Sequence, residues 1–164
     1  MSSYRRRLAA LVNKLICGVD LSKQPDDELW YITTDGQKTD NSDINLMGDW
    51  NRQEGLQVIS HTYKDGIGKV RYNAPLVKLG ESAFRLTTNT LLVSLPRTLE
   101  HFGAGCFGIT LEHSVGYLVL LRESEVTFNK DETWKPKIRH YLYVQPNCTQ
   151  FYNNLGYNII EKKL

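Results

Sequence analysis

His101 and Cys106 stand five residues apart, and a thiol with an imidazole nearby is the pairing a nucleophilic enzyme uses. The imidazole would take the thiol proton and leave a thiolate to attack. The other histidines, His61, His113 and His140, lie far apart in the sequence, and no His-x-x-x-His or Cys-x-x-Cys spacing of a metal site occurs. Gly103-Ala104-Gly105 lacks the spacing and the Gly-Lys-Ser/Thr of a phosphate loop, so it reads as a turn. Asn147-Cys148-Thr149 fits the glycosylation sequon. Asp26-Asp27-Glu28 reads as a solvated linker or helix-cap run. Arg5-Arg6-Arg7 is the one local concentration of charge. Arginines at the start of a helix oppose its dipole, which suits an acidic partner better than it suits the helix. A solvated basic helix start is the plainer reading.

The elements that must position these residues follow from patterning. Tyr4, Leu8, Leu11, Val12, Leu15 and Ile16 recur at three/four spacing, with Arg5, Arg6, Arg7 and Lys14 largely off the stripe. That predicts an amphipathic helix over residues 4–17, ending near Gly18. Residues 21–28 (LSKQPDDE) are polar with a proline and read as a linker. From residue 29 onward the signals are strands and turns. Residues 29–34 are aromatic and β-branched before Asp35-Gly36, and residues 58–63 and 68–72 flank the hairpin chemistry of Lys64-Asp65-Gly66. Residues 39–54 read as loop, with Trp50 expected to anchor into the core.

The 164 residues suit one ordinary domain, and 41% hydrophobic with 23% charged residues marks a folded chain. A net charge of +2 gives no global pull towards nucleic acid. No apolar run reaches the roughly 18 residues of a membrane-spanning helix. The basic-then-apolar beginning resembles an export signal, but Asn13 and Lys14 interrupt it and no small-x-small cleavage site follows. Synthesis without export is the expectation. Cys17, Cys106 and Cys148 are odd in number and widely spaced, so they read as small buried apolar residues rather than as a disulfide framework.

One internal repeat stands out. Residues 69–84 laid over residues 92–107, an offset of 23, match Val70 to Val93, Leu76 to Leu99, Gly80 to Gly103 and Phe84 to Phe107. Tyr72/Leu95, Leu79/Phe102 and Ala83/Cys106 agree in character. Matched positions are apolar or glycine and unmatched ones mostly polar, as expected of stacked coils whose inward positions are constrained by neighbours. Cys106 then takes the small inward place of Ala83, which favours a buried structural thiol over a nucleophile. Leu118 is expected to follow Leu95 at the same step, and residues 142–144 one step later. Residues 122–139 depart from the motif.

The run Pro96-Arg97-Thr98-Leu99-Glu100-His101-Phe102-Gly103-Ala104-Gly105-Cys106-Phe107 resembles the BspA-like leucine-rich repeat, and residues 76–84 are similar to a preceding coil. Residues 28–36 and 58–68 look like the segments that lead into such repeats. Leu142-Tyr143-Val144-Gln145-Pro146 with Phe151-Tyr152 is similar to the strand and short helix that close them.

The resemblance implies a mostly β (α+β) fold: a short leucine-rich-repeat solenoid of parallel coils with a hairpin-rich lead-in and an N-terminal amphipathic helix. The expected organisation is a docking helix at 1–20, a linker at 21–28 and the repeat domain with its cap at 29–164. It also implies protein or surface binding, without catalysis, cofactor, metal or small-molecule substrate. The expected role is a bacteriophage virion accessory protein, made in the host cytoplasm, with a bacterial cell-surface adhesion module as the alternative. Partner binding to other virion chains is assigned to Tyr4, Arg5, Arg6, Arg7, Leu8, Leu11 and Leu15, with no membrane role and with packaged nucleic acid as the less favoured partner of the arginines.

Overall fold

A computed structural model describes residues 3–39, 46–85, 87–108, 110–111 and 114–164, apart from the side chains of Arg5 and Leu8. Helix α1 (Ser3–Gly18) and a 3₁₀ turn (Leu21–Lys23) precede β1 (Glu28–Thr33), β2 (Val58–Lys64), β3 (Ile67–Tyr72) and β4 (Lys78–Leu79). Then come β5 (Thr90–Leu95), β6 (His101–Phe102), β7 (Val115–Leu120), β8 (Ile138–Val144), helix α2 (Thr149–Asn154) and β9 (Ile159–Glu161). The molecule is mostly sheet with a few helices. Seven strands form one open, mixed sheet in the order β2-β3-β1-β5-β7-β8-β9, and β4 pairs with β6 apart from it.

The sheet changes character at β5. On one side, β2, β3, β1 and β5 pair antiparallel. The β2–β3 turn places Asp65 at φ 53° and Gly66 at φ 81°, the paired positive φ that Asp-Gly supplies to tight hairpins. On the other side, β5, β7, β8 and β9 run parallel. Parallel strands are covered on both faces, and all six residues of β5 are buried. Alternation divides them. Val93, Leu95, Leu118, Leu120, Leu142 and Val144 enter the main core with Phe84, Phe102 and Phe107. Leu92, Val119 and Tyr143 join Trp30 and Ile32 on the opposite face, beneath α1.

The repeat recurs in the backbone. Lys78 and Leu79 pair in parallel with His101 and Phe102, residues 23 further along. At the same offset Ser82 (φ 62°) matches Gly105 (φ 70°), and Phe84 (φ 58°) matches Phe107 (φ 62°). The left-handed region costs a non-glycine residue about 1–2 kcal/mol. Complete burial of both rings, stacked 5.8 Å apart at 23°, offsets that cost. Phe107 N–H donates to Ala83 O at 2.7 Å and Gly103 N–H to Leu79 O at 2.9 Å, so one turn rests on the other. A Cβ on Gly103 would strike the backbone of Gly80 and Glu81, and one on Gly80 would lie 2.6 Å from Trp50 O. These glycines are there for close approach, not for positive φ.

Several expectations need correcting. Leu95 pairs with Leu120, not Leu118, and Val93 takes Leu118. A slip of two residues keeps the same side chains facing inward, so the pattern tolerated it. The later step is shorter, with Leu142 opposite Ile159. Trp50 does not anchor the core: it is 71% exposed. Cys17 is exposed too, whereas Cys106 and Cys148 are buried. Nor are residues 21–28 a free linker. Leu21 and Gln24 are buried, the Gln24 amide donates to Ser94 O and Glu28 O, and Ser94 Oγ donates back to Gln24 Oε1 at 2.7 Å. A buried glutamine with every contact answered reads as polar linker in a sequence and as a packed strap in a fold.

Candidate docking site

Helix α1 buries its inner face in its second half and exposes its outer face along its length. Its second half belongs to the fold: Val12, Leu15 and Ile16 are buried against Trp30, Ile32, Leu92, Val119, Leu121 and Tyr143. Leu15 was expected to meet another chain, but it is 0% exposed within its own. Two lysines pin this half from opposite edges of the sheet. Lys14 Nζ donates to Asp65 O in the β2–β3 turn, and Lys162 Nζ, just beyond β9, donates to Ile16 O at 3.1 Å. That ammonium also satisfies a helix C-terminal carbonyl that lacks an intrahelical partner. Contacts from both edges to one short stretch mean that the sheet curls around it.

In the first half the described side chains are exposed. Tyr4 is 61% exposed, and Arg6, Arg7, Ala9 and Ala10 are exposed as well. Leu11 marks the transition, packed against the cluster at its edge. The side chains of Arg5 and Leu8 lie outside the described residues. No acidic residue occupies the first turn of the helix to answer its dipole, and the arginines there oppose it. Tyr4, Arg6 and Arg7 are thus exposed on the outer face of the helix, with cationic forks suited to carboxylates. Of the assigned residues, then, the structure leaves Tyr4, Arg6 and Arg7 outward, places Leu11 at the edge and removes Leu15 to the core.

The receiving surface escaped the sequence reading. Trp30, Val119, Tyr143 and Lys162 hold α1, yet each looks ordinary in its own stretch. A signal was available: TLLVSL in β5 and VGYLVL in β7 are apolar on both faces, which requires a second covering layer. The strip on Trp30 is completed by Lys69, whose ammonium lies 4.2 Å from the ring centroid, and by Glu28, which accepts the indole N–H at 2.7 Å.

The chemistry-bearing residues are dispersed. Cys106 is fully buried, its thiol donates to Gly80 O at 3.0 Å, and burial pushes it up to about 12. Such a thiol is protonated at neutral pH and no nucleophile. His101 is lowered by burial and by the nearby Lys78, and sits on β6. His61 meets the hydroxyl of Tyr31 at 2.7 Å, while His140 lies against Tyr117, with centroids 5.0 Å apart. His113 falls outside the described residues. Among the described residues no group of three or more His, Cys, Asp or Glu is placed to hold a metal ion. An open cleft of about 470 Å³ runs past Arg97, Arg122, Glu123, Ser124 and Asn147. Arg122 faces Glu100 at 3.5 Å, and Arg97 donates to the carbonyls of Ser22 and Leu164. No protein-family model, no curated protein and no solved structure matches the chain.

Proposed function

We propose that this chain is a non-enzymatic assembly protein: a short leucine-rich-repeat solenoid that docks onto another protein through the exposed outer face of the first half of α1. The observation that carries the reading is the division of α1, with Val12, Leu15 and Ile16 locked into the fold and Tyr4, Arg6 and Arg7 held outward. An exposed helical rod in water is marginal by itself, and the packed second half supplies the nucleus that keeps it formed. It offers an aromatic anchor beside two bidentate cations, the residue types that dominate protein interfaces. The solenoid part of the reading is supported by the 23-residue echo in pairing, φ values and ring stacking. The setting is the one the resemblance implies, a bacteriophage particle assembled in the host cytoplasm, with acidic groups on the partner chain.

Particles purified from a host expressing the full chain, probed by mass spectrometry, test this directly. The wild-type chain is expected in them, and the variant carrying Tyr4→Ala, Arg6→Glu and Arg7→Glu is expected to be lost while melting at the wild-type temperature. Normal incorporation of that folded variant overturns the docking assignment. Absence of the wild-type chain from the particle overturns the virion setting.

A further inference from the structure

The turns of successive coils stack into one backbone column with a tryptophan at each end. Glu81 N–H donates to Trp50 O at 2.7 Å, Ser82 N–H to Ala104 O at 2.9 Å, and Gly105 N–H to Trp134 O at 2.9 Å. Both indoles are exposed, Trp50 at 71% and Trp134 at 45%, whereas Trp30 is buried. Tryptophan is a residue folding normally hides, and here two stand out at the ends of one column. Three rungs at about 4.8 Å separate their backbones by roughly 14 Å. Between them Ala104 is small, Glu81 is half-buried, and the Asn51 amide donates to Glu81 Oε1.

We propose that this column, from Trp50 across Glu81 and Ala104 to Trp134, binds a neutral oligosaccharide. The C–H face of a sugar ring stacks on an exposed indole, and the hydroxyls at its rim need mixed donors and acceptors such as the Asn51–Glu81 pair. A span of three rungs exceeds one pyranose ring, so the ligand is a chain that covers both indoles. Other occupants fit less well. An incoming peptide strand finds no free ladder, because the N–H groups of Asp49, Glu81, Ser82 and Gly105 are all donated within the column. Nucleic acid would meet the Glu81 carboxylate between the two tryptophans, which repels phosphate.

The test titrates the full chain with cello-, chito-, malto- and laminari-oligosaccharides of increasing length, following tryptophan emission for the wild type and calorimetric heat for wild type and variants alike. Trp30, being buried, serves as an internal reference. The expected result is a saturable blue shift with at least one series, with affinity rising until the chain is long enough to reach both indoles. Trp50→Ala and Trp134→Ala should each weaken that binding about tenfold or more without moving the melting temperature. No shift from any of the four series, or a folded double variant that binds as wild type does, overturns the proposal. Substitutions at Tyr4, Arg6 and Arg7 should leave this binding intact, which separates it from docking through α1.

Discussion

Phe107 shows how one side chain is asked to satisfy several constraints at once. It sits at positive φ, stacks on Phe84, and meets Phe102 edge-on at 5.2 Å. Phe107→Ala should cost about 3–5 kcal/mol in chemical denaturation, since it removes a buried ring and opens a cavity next to two others. A loss under about 1 kcal/mol would mean that the stacked turns do not carry the core. Gly103→Ala should destabilise by more than the ordinary ~1 kcal/mol of helix or strand propensity, because its Cβ meets backbone, which cannot swing aside. The cysteines give a cleaner contrast. In the native state a thiol reagent should label Cys17 quickly and Cys106 only on unfolding, since the first is exposed and the second is buried and protonated. Rapid native labelling of Cys106, mapped by peptide mass, would reopen the nucleophile reading.

At the scale of elements, α1 makes opposite predictions for its two halves. Leu15→Ala should lower stability by about 2–5 kcal/mol, the usual range for a fully buried leucine, because it vacates the face formed by Trp30, Val119 and Tyr143. Tyr4→Ala should stay within about 0.5 kcal/mol, as exposed positions do. Equal effects from the two would show that α1 is not divided in this way. The same division explains why deleting the whole helix is a poor experiment. It would strip Val12, Leu15 and Ile16 from the sheet and destabilise the fold together with the docking surface. The β5–β7–β8 ladder carries a parallel lesson. Its step drifts while its facing does not: Val93 lies opposite Leu118 and Leu118 opposite Leu142, because the loops between strands absorb the change in length and paired residues share a face.

For the molecule as a whole, burial without charge sets the response to pH. Tyr31, Tyr152 and Cys106 are each pushed up to about 12, burial being the main cause, and Tyr157 is raised by the same cause. In the unfolded chain these groups ionise near pH 9–10. Folding therefore holds protons that the unfolded state has already released, and their stabilising contribution is complete below about pH 9 and falls away as pH rises towards the folded values. The melting temperature is thus expected to be flat from neutrality to about pH 8.5 and to drop steeply above about pH 9.5. A melting curve unchanged at pH 11 would mean that these hydroxyls and thiols are not buried in solution.

Much of this was legible before any coordinates. Periodicity alone marked α1, because three/four spacing over four turns has no competing strand interpretation. Asp65-Gly66 announced its hairpin, since few dipeptides adopt two positive φ values so readily. The apolar matches at 23 residues placed Phe84 over Phe107 and gave Cys106 the inward place of Ala83, because inward positions of stacked turns have little freedom to vary. What the chain could not disclose by itself were relations between distant parts. Nothing in VNKLIC says that it lies under Tyr143 and Lys162, or that Gln24 reaches Ser94 across the strap. Amphipathicity reports that a face must be covered, but not by what, and a satisfied buried polar group has the composition of a loop. Trp50 was misjudged for the same reason. Hydrophobicity is a property of the residue, while exposure depends on which coil ends beside it, and that is decided only when the turns stack.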